Sequence, residues 1–535
     1  MTNSPTLAEA PPSSKPRHKT RLWTFCLVLP IVILVATGIY FINVHWPYRY
    51  REIEPLLQEV FASQVKIDHY RRTYFPNPGF VAIGLTLRRN SAPDLPPVGS
   101  AHDLIVQGSW LDLLLLRKRV RVVEVTGLHI VIPPVGSRAN HEDFPAGSSA
   151  DFGGPTTVVE QLNMHQATLD IMRTDGSRYS FPIRQLIIRN LQKGKAIAYS
   201  VDMQNAKPTG HIQSTGSFGP LTPKNLGATP VSGNFTFSPV NLRDMGSISG
   251  TLSAAGHFNG ALAAIEAYAT SDTPDFAVGS GRPAAIAGSV HCTINGLNAD
   301  LVIHSIEAKT GATTIHAHGS IIGSPKVTNL DIAVSSGRVQ DILRPFIHDK
   351  VPITGVVWLH SHAHLEPSKN GSKFLQRLQV DGTFDVPAER VINRANEQKL
   401  SAFSQRAQGL KSDPTSVDPA AADPASSPST DVLSSLDGQA KIRDGVLSTQ
   451  RITFQIPGAA ADFNGSFNLR DRTVHLFGNL RMQSDISHVS TGLMSVLMKP
   501  LIPLFKKQHA GAVIPIAITG GPGGYKITQN LLHKK

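Results

Sequence analysis

The sequence predicts a mainly β protein preceded by a single transmembrane helix, and three observations carry that expectation. Apolar and polar residues alternate at period two in short runs such as "RVVEVTGLHIVIPP" (Arg121–Pro134), the signature of half-buried strands. The 44 glycines and 38 prolines recur between such runs, as turns joining many strands do. One stretch departs from this pattern: Leu22 to Val44, "LWTFCLVLPIVILVATGIYFINV", carries no charge. As a helix it measures roughly 34 Å, against a hydrocarbon core of about 30 Å.

Leu22, Trp23, Phe25, Leu27, Ile31, Leu34, Ile39, Phe41 and Val44 give this segment its apolar surface. A cleaved signal peptide has a shorter apolar region followed by small residues. Here the run passes into Tyr40, Phe41 and Ile42, then Trp46 and Tyr48, the aromatic rim of a membrane span. Residues 22–44 are therefore read as a retained anchor. Lys15, Arg17, Lys19 and Arg21 crowd the preceding tail, residues 1–21. The positive-inside rule then keeps that tail cytoplasmic and exports everything after Trp46.

Composition constrains the exported part. Only 41% of the 535 residues are hydrophobic and 7% aromatic, so the chain is large without being richly cored. Cys26 lies in the anchor and leaves Cys292 without an intrachain partner, so packing and strand ladders, not disulfides, hold the fold. The formal charge of +12 on an exported, anchored chain suits an anionic membrane surface or solubility. No aromatic-interleaved basic module is visible, and nucleic acid is not an expected partner.

Region 45–134 opens with an amphipathic helix: Ile53, Leu56, Leu57, Val60 and Phe61 share one face, opposite Glu52, Glu54, Gln58 and Glu59. It either plugs the end of the strand region after it or lies on the membrane. A short helix is predicted from Trp110 to Leu116, with Ser109 and Asp112 placed as a capping box. Val120, Val122, Val123, Val125, Leu128, Ile130 and Ile132 then alternate with a slip at Val122–Val123 that reads as a bulge, and Gly127 resets the strand.

Region 135–390 continues with "GNFTFSPVNL", "SISGTLSAAGHFNG", "VHCTINGLNADLVIHSIEA" and "TTIHAHGSIIG". These are predicted rungs of one antiparallel meander. Residues 391–409 turn helical, with Gly409 as a stop. Residues 410–432 are Pro, Ala, Ser and Asp with little to bury, which predicts a disordered linker. Strands resume in 433–535: Asp444-Gly445 marks a hairpin, Ile452, Phe454 and Ile456 share one face, and Phe463, Phe467, Leu469, Val474, Leu476, Leu480 and Met482 come after them.

Several longer stretches resemble the AsmA-like family of anchored bacterial envelope proteins. They are the anchor, "YREIEPLLQEVFASQVKID" and "SWLDLLLLRKRVRVVEVTGLHIVI" near the N-terminus, and "MGSISGTLSAAGHFNGALAAIEAYATSDTPDFAVGSGRPAAI" in the middle. At the C-terminus, "PGAAADFNGSFNLRDRTVHLFGNLRMQ" and "LMKPLIPLFKKQHAGAVIPIAITGGPGGYKI" are similar to the family's closing module. The resemblance implies a long curled antiparallel β-sheet with short capping helices, whose concave side is a hydrophobic groove akin to bridge-like lipid transfer proteins. Candidate groove residues are Val120, Val122, Leu128, Ile130, Ile132, Ile452, Phe454, Ile456, Phe463, Phe467, Leu469, Val474 and Leu476. The alternative is that these faces pack on one another as closed sandwiches.

The expected function is lipid handling in support of outer-membrane biogenesis, from the bacterial inner membrane with the bulk of the chain periplasmic. The expected partners are the membrane, phospholipid or another acyl lipid, and further envelope proteins. A scaffold without lipid cargo is the alternative. His360, His362 and His364 fall on one strand face, and neutral imidazoles are zinc ligands. No Cys cluster or HExxH helix completes a catalytic centre, and neither a metal nor another cofactor is assigned. "GGPGGYK" (Gly520–Lys526) is not a phosphate loop and reads as a bend. "GSISG" places its serines wrongly for a nucleophile elbow, and no enzyme is expected. "STGLMSVLMKPLIPLFKK" (Ser490–Lys507) reads as a helix that closes the far end or touches a second membrane.

Overall fold

The structure, a computed structural model, describes residues 48–61, 63–89, 96–134, 158–172, 176–408, 432–483 and 513–529, short gaps excepted, together with 137–139 and three residues of the anchor segment. Those three, Thr37, Gly38 and Tyr40, are helical. The rest of the predicted anchor, the basic tail, linker residues 410–431 and Ser490–Lys507 lie outside the described residues. No helix among the described residues is long and apolar enough to cross a membrane.

The described chain is mainly β, a single sheet of 25 strands with a few short helices. It opens with α1 (Tyr50–Phe61), β1 (Gln64–Thr73), β2 (Gly79–Arg88), β3 (Gly99–Gln107), α2 (Trp110–Leu114), β4 (Arg119–Thr126) and β5 (His129–Ile132). β4 and β5 form one line broken at Gly127, whose φ of +66° suits glycine. Both pair antiparallel with β3 and parallel with β6 (Val158–Met172). The sheet is therefore mixed, against the antiparallel expectation. A parallel neighbour requires a crossover connection, and residues 133–157 are long enough to supply it.

From β6 onward each strand folds back on its predecessor. The order is β7 (Arg178–Leu191), β8 (Ile197–Asn205), β9 (Gly210–Phe218), β10 (Pro230–Asn241), the two-residue β11 (Ile248–Ser249), β12 (Thr251–Ala261) and β13 (Ala264–Val278). β11 pairs only with β13, so β10 lies directly against β12. Next come β14 (Ala284–Ile294), β15 (Leu301–Thr310), β16 (Thr313–Ile322), β17 (Val327–Arg338), α3 (Val339–Leu343) and β18 (Ile353–Leu365). The chain continues with α4 (Phe374–Arg377), β19 (Leu378–Val391), α5 (Arg394–Ala407) and β20 (Ser434–Arg443). It ends in β21 (Val446–Ile456), β22 (Ala459–Asn468), β23 (Val474–Met482), β24 (Val513–Gly521) and β25 (Gly524–Gln529). The predicted Asp444-Gly445 hairpin is present with both residues at positive φ, 52° and 74°, as a two-residue turn between twisted strands demands.

Register slips recur along the sheet, at Phe237/Val240, Thr273/Phe276, Ile303/Ile306, Val334/Gly337, Gly355/Trp358, Val386/Glu389 and Thr449/Ile452. Each inserts an extra residue and bends its strand. Gly465 adds a kink of another kind: its φ is +136°, and a Cβ there would collide with the His475 carbonyl oxygen on β23.

Apolar cores sit at particular places. Ile53 of α1 is buried against Phe80, Leu85 and Leu104, with Leu57 packed beside it, so α1 plugs the N-terminal end of the sheet. α3 packs Val339 on Val357 and Val386. α5 packs Ala407, Leu400 and Phe403 on Ile456, Ala461, Leu480 and Ile514, and its Ser404 hydroxyl donates to the Pro457 carbonyl at 2.7 Å. The helix predicted over 110–116 ends at Leu114, and Ser109 precedes it without a side-chain cap; Asp112 pairs instead with Arg117 at 3.8 Å.

Candidate functional site

Directly paired residues of neighbouring strands project to the same side of a sheet, so the register assigns each side chain to a face. One row can be followed from β2 to β25 without interruption. It begins Phe80, Val106, Val123, Leu162, Ile188, Tyr199, Gly216 and Gly233. It continues through Phe258, Ala267, Cys292, Ile303, Gly319, Leu330 and Ala363. It ends Val380, Ile442, Leu447, Phe467, Val474, Gly520 and Tyr525. Apart from the tyrosine hydroxyls, no polar side chain interrupts it.

The adjoining row repeats the pattern with Val290, Ile306, Ala317 and Ile332 as partners on β14 to β17, and with Ile452, Phe463 and Ile516 on β21, β22 and β24. The opposite face is mostly polar. Its cross-strand partners run Glu124, Asn163, Ile187, Ser200, Thr215, Asn234, His257, Tyr268 and His291.

Buried clusters, as distinct from single buried residues, lie toward the ends of the apolar face. Among the described residues, three buried clusters, under α1, α3 and α5, draw on β1–β4 with Leu162 and Met164 of β6 beside them and on β18–β24, and none includes a residue of β7–β17. There Ala267, Cys292, Ile303 and Val334 are buried, while Val290, Ile306, Ile315, Leu330 and Ile332 are half-buried. Under α1 the face also encloses an apolar cavity of about 220 Å³ between Phe80, Leu104, Val123, Leu128, Leu162 and Met164.

A cavity of about 1140 Å³ lies where this face meets a polar border. Ala167, Ile183, Met203 and Val240 line it together with Arg184, Arg243, Asp202, His211, Asp244 and Asp275. Asp202 is bonded to His211 at 2.5 Å and faces Arg184 at 3.6 Å. Asp244 accepts the Thr209 backbone N–H at 2.7 Å, and its hydrogen bonds with Thr209 hold its carboxyl below the usual range.

Most of the sequence candidates fall on the apolar face. Ile452, Phe454, Ile456, Phe463, Phe467, Val474 and Leu476 share it by register, as do Ile130 and Ile132 through Leu169 and Ile171, and Val120 and Leu128 line the small cavity. Val122 does not: it pairs with Gln107 and Gln161 on the polar side, and Val123 takes the apolar position. Leu469 lies in the turn after β22, its N–H on the Gly445 carbonyl. Phe454 and Phe463 sit under α5.

His360, His362 and His364 project from the polar face without converging, because alternate residues of a strand stand roughly 7 Å apart. His362 and His318 instead share Asp331, at 2.9 and 3.8 Å, and the hydrogen bond from His362 holds the Asp331 carboxyl below its usual range. His364 reaches Asn329 at 2.7 Å. Cys292 is buried on the apolar face, where loss of hydration raises its pKa and makes it a poor nucleophile.

The structure does bring together three other ligand-bearing side chains, Glu266, His291 and His304. They come from three strands, and no run in the sequence signals them. No protein-family model matches the chain, and no curated protein matches it.

Proposed function

We propose that this chain is a lipid-handling envelope protein of the AsmA-like type. It is anchored in the bacterial inner membrane by residues 22–44 and holds the acyl chains of phospholipid along a curled β-groove in support of outer-membrane biogenesis. The observation that carries this reading is the unbroken apolar row from β2 to β25, whose middle contributes to none of the buried clusters among the described residues. Half-buried Val, Ile and Leu in that number call for an apolar occupant. Each methylene withdrawn from water gains about 0.8 kcal/mol, so acyl chains of ordinary length offset much of the cost of leaving a bilayer.

Three further features support it. The recurrent bulges and glycine kinks are the devices that curl a sheet. At about 4.8 Å between strands, the row extends on the order of 100 Å, long enough for several lipids in file. The large cavity at the polar border places arginines beside the apolar face, which suits an amphiphile with a phosphate group.

The test is direct. Full-length protein purified in mild detergent is extracted with organic solvent, and the extract is counted by mass spectrometry. At least one phospholipid per chain is expected. A folded protein with no stoichiometric lipid would sink this reading and favour a scaffold.

A further inference from the structure

We propose that Glu266, His291 and His304 form a binding site for a zinc-type divalent cation on the polar face of the sheet, away from the apolar row. The three residues sit on β13, β14 and β15, and their ligand atoms all lie within 4.8 Å of one another. Glu266 Oε2 is 2.8 Å from His291 Nε2. His304 is placed by an irregularity: β15 pairs Ser305 with His291 and Ile303 with Cys292, so His304 and Ser305 together oppose His291. Such a bulge re-aims a side chain, and here it brings the two imidazoles to 4.7 Å between ring centroids.

The surroundings orient these groups. Tyr268 stacks on His291 at 4.2 Å with planes 8° apart. The Thr293 hydroxyl donates to Glu266 Oε1 at 2.6 Å and lies 2.6 Å from His304 Nε2. Hydrogen bonds of this kind fix metal ligands in place.

Two imidazole nitrogens and one carboxylate oxygen make a borderline donor set, suited to Zn²⁺ and unlike the all-oxygen shells of Ca²⁺ and Mg²⁺. Zn²⁺ holds such atoms at roughly 2.0–2.2 Å. Reaching that geometry requires inward rotation of His304, which is exposed. The bound ion ties three neighbouring strands together and keeps a fourth position toward solvent.

Untagged full-length protein, stripped with a chelator, is titrated with Zn²⁺ by calorimetry at neutral pH, and with Co²⁺ while recording its visible d–d absorption. One ion per chain with a Kd on the order of micromolar or tighter is expected. Glu266→Gln and His304→Ala should each weaken it by roughly tenfold or more, while His362→Ala leaves it unchanged. Because His304 is exposed, its replacement does not compromise folding, and circular dichroism checks this. Absence of a one-ion phase, or a phase that survives His304→Ala, overturns the assignment.

Discussion

Asp170 shows how one residue can secure the parallel seam of the sheet. It is only 3% exposed and lies opposite Val131 of β5 and Ser180 of β7. Its carboxylate meets His129 Nε2 at 3.0 Å and Arg178 Nη1 at 3.3 Å. Hydrogen bonding toward Ser180, then toward His129, and the charge of Arg178 hold its carboxyl below the usual range against the opposing effect of burial. A carboxyl with a depressed folded pKa contributes stability that is complete above the unfolded value and is lost as pH falls through the folded one. Asp170→Asn should therefore cost about 1–3 kcal/mol at pH 7, read as a lower urea midpoint. The gap between variant and parent should narrow at pH 3 and below. An equal gap at both pH values would show that the charge is not what contributes.

At the scale of elements, strands were legible because alternation reports a half-buried face whichever way the neighbour runs. For the same reason the parallel seam was not: β4 and β5 alternate as they would beside an antiparallel partner, and the crossover before β6 carries no periodic signal. Val122 was the expected lining residue, and the register, which pairs it with Gln107 and pairs Val123 with Val106, gives that place to Val123 instead. Ser109 and Asp112 have the spacing of a capping box, yet a helix as short as α2 places them without forming it. Glu266, His291 and His304 meet only through pairing across strands and one bulge, so no local pattern announces them.

A helix was expected over 391–409; α5 covers Arg394–Ala407, Val391 still belongs to β19, and the role of the helix was not legible. It covers the apolar face at β21–β24, with Ala407 fully buried there. Ala407→Glu would place a carboxylate in that contact at a cost of several kcal/mol. The helix should undock while the ladder persists. In hydrogen exchange, amides of 394–407 should lose protection and those of 446–456 keep it. Loss of protection in both would mean that α5 and these strands unfold as one unit.

For the whole molecule, the question is whether the middle of the apolar face meets lipid or another part of the protein. Phe454 cannot decide it, because a charge there also disturbs α5. Leu330 can: it lies mid-sheet, half-buried, between Gly319 and Ala363 on the neighbouring strands, which leave room around a new carboxylate. If the face is an open groove, water hydrates the charge in Leu330→Glu and the melting temperature shifts by less than roughly 3 °C. The same charge repels acyl chains, and at about 1.4 kcal/mol per factor of ten the lipid recovered per chain should fall roughly tenfold or more. If the face is instead closed over by protein, the unpaired carboxylate costs several kcal/mol of folding free energy, and the variant unfolds or aggregates. Melting followed by lipid counting on the same preparation separates the two. A folded variant that keeps its full complement of lipid would place the cargo somewhere other than this row.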